Sequence, residues 1–379
     1  MPPLLFLFCL VNLVVGSGAF VIGGILGPVA AGLNSTVPAV GQAMTVYALA
    51  TAVLAPLLLV ATGAWSRKQV MLLAMALFAA GNVLCAVAPS LLWLLAGRVL
   101  MGMGAVFTPV AAGLAVAAVP VARRGKALSL VFLGMSMSYV VGVPLGAWLA
   151  AHFDWRIPFW MVAGLAMLMG LLLAVLVPRA APVPPASFVG LGAALRNPAV
   201  RRMLLLTLAY FTAIFTVFSY IGPVLQALVP MSADRLSLTL VAFGLAGVLG
   251  TLLGGWANDR FGSMPTLRAH LAALAAMMVA VPLCSGYYAP MLMAFIVWGM
   301  AGFGLMPPQQ SMLTSLAPPL AALLLSLNAS MLYLGTALGA VVGGATTGWV
   351  GPARLAWIGL PFALAGLWLM RPRRQAVSP

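Results

Sequence analysis

The chain contains no glutamate, only three aspartates and two histidines among its 379 residues, and 6% of its residues are charged. A soluble domain cannot cover its surface with so few charges. Acid–base or metal-centred catalysis needs several titratable or ligating side chains in one place. Asp154, Asp234, Asp259, His152 and His270 are too few and too scattered to form such a set, so no enzyme, metal site or cofactor is expected. The three cysteines, Cys9, Cys85 and Cys284, lie in separate apolar runs. Their odd number argues against a disulfide framework and for inert buried thiols. No GxxxxGK[ST] loop is present, which excludes ATP-driven work by this chain alone.

What the chain does have is apolar length. Apolar residues make up 64% of it, in runs of about 20 that suit helices crossing a bilayer. The fold class is therefore an all-α polytopic membrane protein, with the lipid bilayer as its surroundings. Twelve transmembrane spans are predicted: 4–29, 41–62, 70–88, 91–118, 128–150, 158–177, 203–226, 237–256, 269–289, 291–316, 320–346 and 354–370. The first could be mistaken for a signal peptide, but it has no basic leader and its apolar run continues past Phe20. The net charge of +15 is not a nucleic-acid footprint, because the cations sit in short loops. Loops 2–3, 4–5 and 8–9, the central segment and the C-terminal tail hold fourteen of the eighteen Lys and Arg residues. The opposite loops hold only Arg156, Arg235 and Arg354. That asymmetry places both termini in the cytoplasm.

The only long break, 178–202, is rich in proline and arginine and reads as a cytoplasmic linker. It separates an N-terminal six-helix half, 1–177, from a C-terminal one, 203–379. The halves resemble each other. Gly104, Pro109 and Pro120 recur 198 residues later as Gly302, Pro307 and Pro318, and Tyr139 and Trp155 recur 194 later as Tyr333 and Trp349. Parallel repeats with a site between them are a transporter pattern.

Several residues stand out. In Leu133–Trp160 the small residues Gly134, Ser138, Gly142 and Gly146 recur every four positions, forming a groove for close helix approach. Pro144 favours a kink there. Gly335, Gly339 and Gly343 repeat the spacing in span 11. Plain helix packing accounts for such glycines as well. Arg98 is an arginine inside a span, which faces a cavity or partner or else snorkels to the membrane surface. Asp259, in the loop 254–262 with Gly255, Arg260 and Gly262, is an anion beside helix ends. It could pair with Arg123 or Arg124 as a cytoplasmic gate, or simply be solvated. A cavity is predicted from Asn12, Gln42, Tyr47, Tyr139, Tyr210, Phe215, Gln309, Gln310, Asn328 and Tyr333 together with Arg98, a lining for amphipathic or weakly anionic small molecules. Pro307 and Pro308 open span 10 beside it.

These stretches resemble the drug:proton antiporter (12-helix) branch of the major facilitator superfamily. Leu133–Trp160 is similar to its fifth-helix antiporter signature. RVLMGMGA at Arg98 resembles its fourth-helix motif, and 254–262 its cytoplasmic gating motif. Span 2 and span 11 read like bacterial sugar, purine and drug efflux members. The resemblance implies two pseudo-symmetric six-helix bundles and efflux from the bacterial cytoplasm across the inner membrane, as in multidrug resistance. It also implies proton exchange, with Arg98 coupling or contacting substrate and Asp259 gating. A monomer is expected.

Two departures bear on mechanism. The first-half copy of the gating motif has Gly63 where an aspartate is common, and Ala19 stands where the branch commonly carries an acidic residue in its first helix. No predicted span contains a carboxylate, and arginine does not titrate usefully. An uncoupled facilitator of the same fold is therefore the alternative to proton-coupled efflux. His152 and His270, near span ends, read as surface residues, and Asp234 either lines the outer mouth or pairs with Arg235.

Overall fold

The computed structural model describes residues 2–120, 123–178 and 191–370, leaving out the side chains of Pro2, Arg124, Leu191, Ala193 and Ala322. Residues 179–190 of the expected linker lie outside these residues. Twelve helices are long and apolar enough to cross a membrane. Spans 1 to 6 are Pro3–Gly32, Val37–Ala61, Arg67–Ala86, Leu91–Ala117, Gly125–His152 and Ile157–Leu176. Spans 7 to 12 are Pro198–Phe218, Ala233–Phe261, Ser263–Leu283, Tyr288–Ser315, Leu323–Val350 and Pro352–Leu369. They form two six-helix bundles, and the start of span 1 and the end of span 12 lie on one face, called here the terminal face.

Local chemistry explains where helices begin and bend. Span 7 begins at Pro198, inside the expected linker, because the Asn197 side chain accepts from the Ala199 N–H and a proline suits the first turn. A short helix, Leu191–Arg196, precedes it. Spans 2 and 5 each contain a π-helical turn, at Ala50–Leu54 and Ser138–Gly142. Each turn lies just before a proline, Pro56 or Pro144. The wider turn moves aside the carbonyl that the proline ring would strike. Spans 4 and 10 are both broken, the first between Gly104 and Phe107 and the second between Phe303 and Met306. The stretch 254–262, expected as a loop, is helical through Phe261. No residue before Gly262 breaks the helix, and Gly262 makes the turn at a φ of 86°.

The small-residue grooves are occupied. Span 1 lies in the groove of span 5: a Cβ on Gly134 would strike the Cys9 carbonyl, one on Gly142 would strike Ser17, and one on Gly146 would strike Val21. Span 7 lies in the groove of span 11 in the same way. There Gly335 faces the Leu208 carbonyl, Gly339 the Thr212 carbonyl and Gly343 the Thr216 carbonyl. Ser138, Gly142 and Gly146 correspond to Gly335, Gly339 and Gly343 at a constant offset of 197. With no hydrophobic force between helices in lipid, such close backbone contact is what holds each bundle together.

Candidate functional site

The site lies where the bundles meet. Span 1 is buried at every position from Val14 to Leu26, and span 7 at every position from Tyr210 to Gly222 with the short turn that follows it. Towards the terminal face the same helices open. Phe6 and Leu10 are exposed and Leu13 half-buried, while Arg201 and Leu205 are exposed and Leu208 half-buried. The crevice between the halves therefore opens at the terminal face and is closed at the far face.

Polar contacts across the halves close that far end. The Ser237 hydroxyl donates to the Pro144 carbonyl at 3.0 Å, and the Trp148 indole N–H donates to Asp234 at 2.9 Å. A Cβ on Gly244 would strike the Tyr139 carbonyl, and one on Gly41 would strike Tyr220. Gln42 sits at the contact between spans 2 and 11, beside Gly344, and accepts from the Thr45 hydroxyl. Asp234 does not pair with Arg235, whose guanidinium lies 4.6 Å over the Tyr288 ring.

Beneath the closure lies an aromatic cluster from both halves. Phe20 stacks on Tyr139 at 4.8 Å and meets Phe215 at 6.0 Å and Phe218 at 6.2 Å. Tyr139 also meets Phe303 edge-on at 4.9 Å, and Phe218 stacks on Phe243 at 5.7 Å. Phe211 packs between Tyr210 and Phe215. The buried hydroxyl of Tyr210 has no hydrogen-bond partner among the described residues, which leaves a polar handle on an apolar wall. Of the aromatic residues expected in the cavity, Tyr139, Tyr210 and Phe215 gather here, while Tyr47 lies under the Arg98 guanidinium and Tyr333 is half-buried on span 11. Phe20, Phe218, Phe243 and Phe303 were not foreseen.

The amides lie elsewhere, in two matching knots nearer the terminal face. In the first half the Thr108 hydroxyl donates to Asn12 at 2.6 Å, and Asn12 donates to the Val131 carbonyl at 3.0 Å. In the second, Gln309 and Thr207 both donate to the side-chain Oδ1 of Asn328, at 2.9 and 2.7 Å. Each knot ties three helices of one half together. The buried Gln309 Oε1 has no partner among the described residues. Gln310 is half-buried on the next position of span 10.

Arg98 is fully buried and does not snorkel. Its Nε donates to the Ala43 carbonyl at 3.1 Å, and its two terminal nitrogens donate to the Gly18 and Ala19 carbonyls at 2.7 and 2.6 Å. The guanidinium lies 4.6 Å over the Tyr47 ring. The cation thus ties span 4 to spans 1 and 2 through carbonyl dipoles and an aromatic face, with no carboxylate among its described partners. The position singled out for its missing acid, Ala19, is the one whose backbone Arg98 grips.

The gating residues are not engaged. Asp259 is exposed in the last turn of span 8, where the Asn258 side chain donates to it at 3.3 Å. It forms no ion pair among the described residues, and Arg123 is also exposed. The Arg124 side chain lies outside the described residues. An open terminal face accounts for this separation. Asn258, rather than Asp259, accepts from Ser263 at the start of span 9.

The profile of the Major Facilitator Superfamily matches residues 8–322 and, in a second match, 230–379. The chain belongs to the Major Facilitator Superfamily. This facilitator-superfamily chain is 29% identical over 356 residues to the MFS-type transporter YbcL of Bacillus subtilis (strain 168), covering 94% of the chain and 91% of YbcL. It is 31% identical to the inner membrane transport protein YdhP of Escherichia coli (strain K12) over 336 residues, 86% of each. Among solved structures, a D-xylose-proton symporter superposes with a TM-score of 0.78 at 15% identity, covering 98% of both chains. A bacterial homolog of the human lysosomal transporter Spinster, inward-facing and unoccupied, gives 0.72 at 17%, covering 97% of this chain and 93% of that one. These structures share the fold. The protein is a multi-pass membrane transporter, and neither its fold nor its relatives are those of an enzyme.

Proposed function

We propose that the protein exports amphipathic, uncharged or weakly anionic small molecules by alternating access. In this reading it acts as a monomer in the bacterial inner membrane, with both termini in the cytoplasm. The observation that carries the reading is the crevice itself, which is shut at the far face, open at the terminal face and floored by aromatic rings from both halves. The loop-charge asymmetry puts the terminal face in the cytoplasm, so the site loads from inside. Every acidic residue in the chain lies at a span end or in a loop, and the charge over the Tyr47 ring is the Arg98 guanidinium. A lipophilic cation would find no counter-charge there, whereas a flat neutral or weakly acidic molecule would find rings and phenols. Proton exchange follows from the resemblance to the antiporter branch.

The test is accumulation of a panel of aromatic acids, neutral drugs, lipophilic cations, sugars and nucleosides in cells with and without the protein, repeated with a protonophore. Lowered accumulation of the neutral and acidic compounds, abolished by the protonophore, is expected. Faster equilibration that ignores the protonophore would instead establish the facilitator. The dipole-held Arg98 and the carboxylate-free midplane favour that second reading.

A further inference from the structure

We propose that His152 and Asp234 together form a one-proton site that holds the far face of the crevice shut while the proton is bound. The inference deepens the alternating-access reading above and rests on it. The starting point is the chain's short supply of groups that titrate near neutral pH. It has three aspartates, no glutamate and two histidines. Asp154 is spent within one loop, where it accepts from the Arg156 backbone N–H at 2.7 Å and lies 3.9 Å from the Arg156 guanidinium. Asp259 is exposed at the terminal end of span 8. His270, in span 9, lies 2.9 Å from its own helix's Thr266 carbonyl and packs against Gly304 of span 10, so both its contacts stay within the second half. His152, in span 5, and Asp234, in span 8, are the described pair that bridges the two halves.

Their geometry sets the tautomer of the neutral ring. His152 Nδ1 is 3.0 Å from the Trp148 carbonyl oxygen. A carbonyl can only accept, so Nδ1 carries a hydrogen. The other nitrogen, Nε2, lies 3.5 Å from Asp234 Oδ1. A neutral ring therefore turns a bare lone pair towards an ionised carboxylate, acceptor against acceptor. One added proton, on Nε2 or on Oδ1, converts that clash into a charge-assisted or ordinary hydrogen bond. The arrangement is held in place: the Trp148 indole N–H reaches the same Oδ1 at 2.9 Å, and the Trp148 and His152 rings stack at 4.5 Å. When the halves part at this face, His152 and Asp234 separate into water and the shared proton has no second partner. The closed far face therefore takes up a proton that the open one releases, and acid outside favours closure by linkage.

Neighbouring charges do not replace either partner. Span 1 carries no charged residue. At the start of span 6, Arg156 lies over the Trp155 ring at 4.1 Å and donates to the Ala88 carbonyl. On span 8, Arg235 lies over Tyr288, which also meets the Thr239 hydroxyl. Tyr139, on the π turn of span 5, is stacked on Phe20. Both side chains are exposed, at 36% for His152 and 68% for Asp234, so the pair's leverage on the open–closed ratio is modest, about 2- to 5-fold.

The experiment uses the full-length protein in lipid nanodiscs. Native cysteines are replaced and spin labels placed at Ser35→Cys and Tyr287→Cys, far-face positions in different halves. Distance distributions are recorded from pH 5.5 to 8.5. In the parent the short-distance population, relative to the long, should rise about 2- to 5-fold as the pH falls. His152→Gln should flatten the titration. Asp234→Asn should flatten it as well, since its amide can donate to the neutral ring without a proton from solvent. A pH response that persists unchanged in both variants would overturn the proposal, as would a parent that opens but ignores pH. A far face that stays shut at every pH and with every transported compound would instead overturn alternating access itself.

Discussion

The two halves share a skeleton and differ at its centre. Gly102 of span 4 lies against the Tyr47 carbonyl of span 2, and Gly299 of span 10 lies against the Phe243 carbonyl of span 8. At the same offset of 197, Arg98 corresponds to Phe295. The first half therefore joins its second and fourth helices through a guanidinium over Tyr47 at 4.6 Å, and the second half through Phe295 edge-on to Phe243 at 6.3 Å. Close backbone approach is common to both, while the side chain that fills the seam is free to vary. The second half spends the position on packing. The first spends it on a buried cation that holds backbone carbonyls of two other helices, a costly choice in lipid.

The comparison can be broken most severely at the shared skeleton. Gly142→Leu and Gly339→Leu should each cost upwards of about 4 kcal/mol, because the new side chain meets Ser17 or the Thr212 carbonyl with no room to yield. Both should lose the monodisperse peak on size-exclusion chromatography in detergent. Collapse of only one would mean the grooves are not equivalent. The seam comes next. Arg98→Ala should abolish transport and cost about 2–5 kcal/mol, whereas Phe295→Leu should cost about 1 kcal/mol and leave transport intact. Flux assays on matched expression levels decide this, and normal flux in Arg98→Ala would remove Arg98 from the mechanism.

A smaller contrast lies in the amide knots. Asn328→Ala should lower stability by about 1–3 kcal/mol, because Thr207 and Gln309 are both buried and both donate to it. Asn12→Ala should cost about 1 kcal/mol, since half-buried Thr108 can turn to water. Thermal unfolding of the two variants side by side checks the order. The smallest effect is expected at Asp259→Asn, within about 0.5 kcal/mol, because the carboxylate is exposed here. Its influence should show only in cysteine crosslinking across the terminal face, and unchanged crosslinking would end its role as a gate.

Much of the architecture was legible in the sequence because it depends on patterns that survive repetition. Twelve apolar runs, glycines every four residues and the Gly–Pro pattern shared by spans 4 and 10 announce helices, grooves and breaks. The aromatic floor was not legible. Phe20, Phe218, Phe243 and Phe303 are four of seventeen phenylalanines in a chain that is 64% apolar, and nothing local separates a ring at the seam from one facing lipid. The contact of Trp148 with Asp234 spans 86 residues and needs both bundles in place. The gating stretch was misjudged as a loop because its charges resemble a span end, while its backbone meets no helix breaker until Gly262.

The π turn at Ser138–Gly142 has a geometric consequence for everything beyond it. A helix that has taken in one extra residue is out of phase with itself. The segment past the bulge is turned by about 100° and displaced by about 1.5 Å from where a regular helix would carry it. Trp148 and His152 point at span 8 because of that phase slip. Restoring regular α-helical turns with every residue kept would swing both rings about a quarter-turn away from Asp234, whereas deleting Val141 as the turn regularises would leave them facing it. The wide turn at Ser138–Gly142 thus sets the angular alignment of the far face.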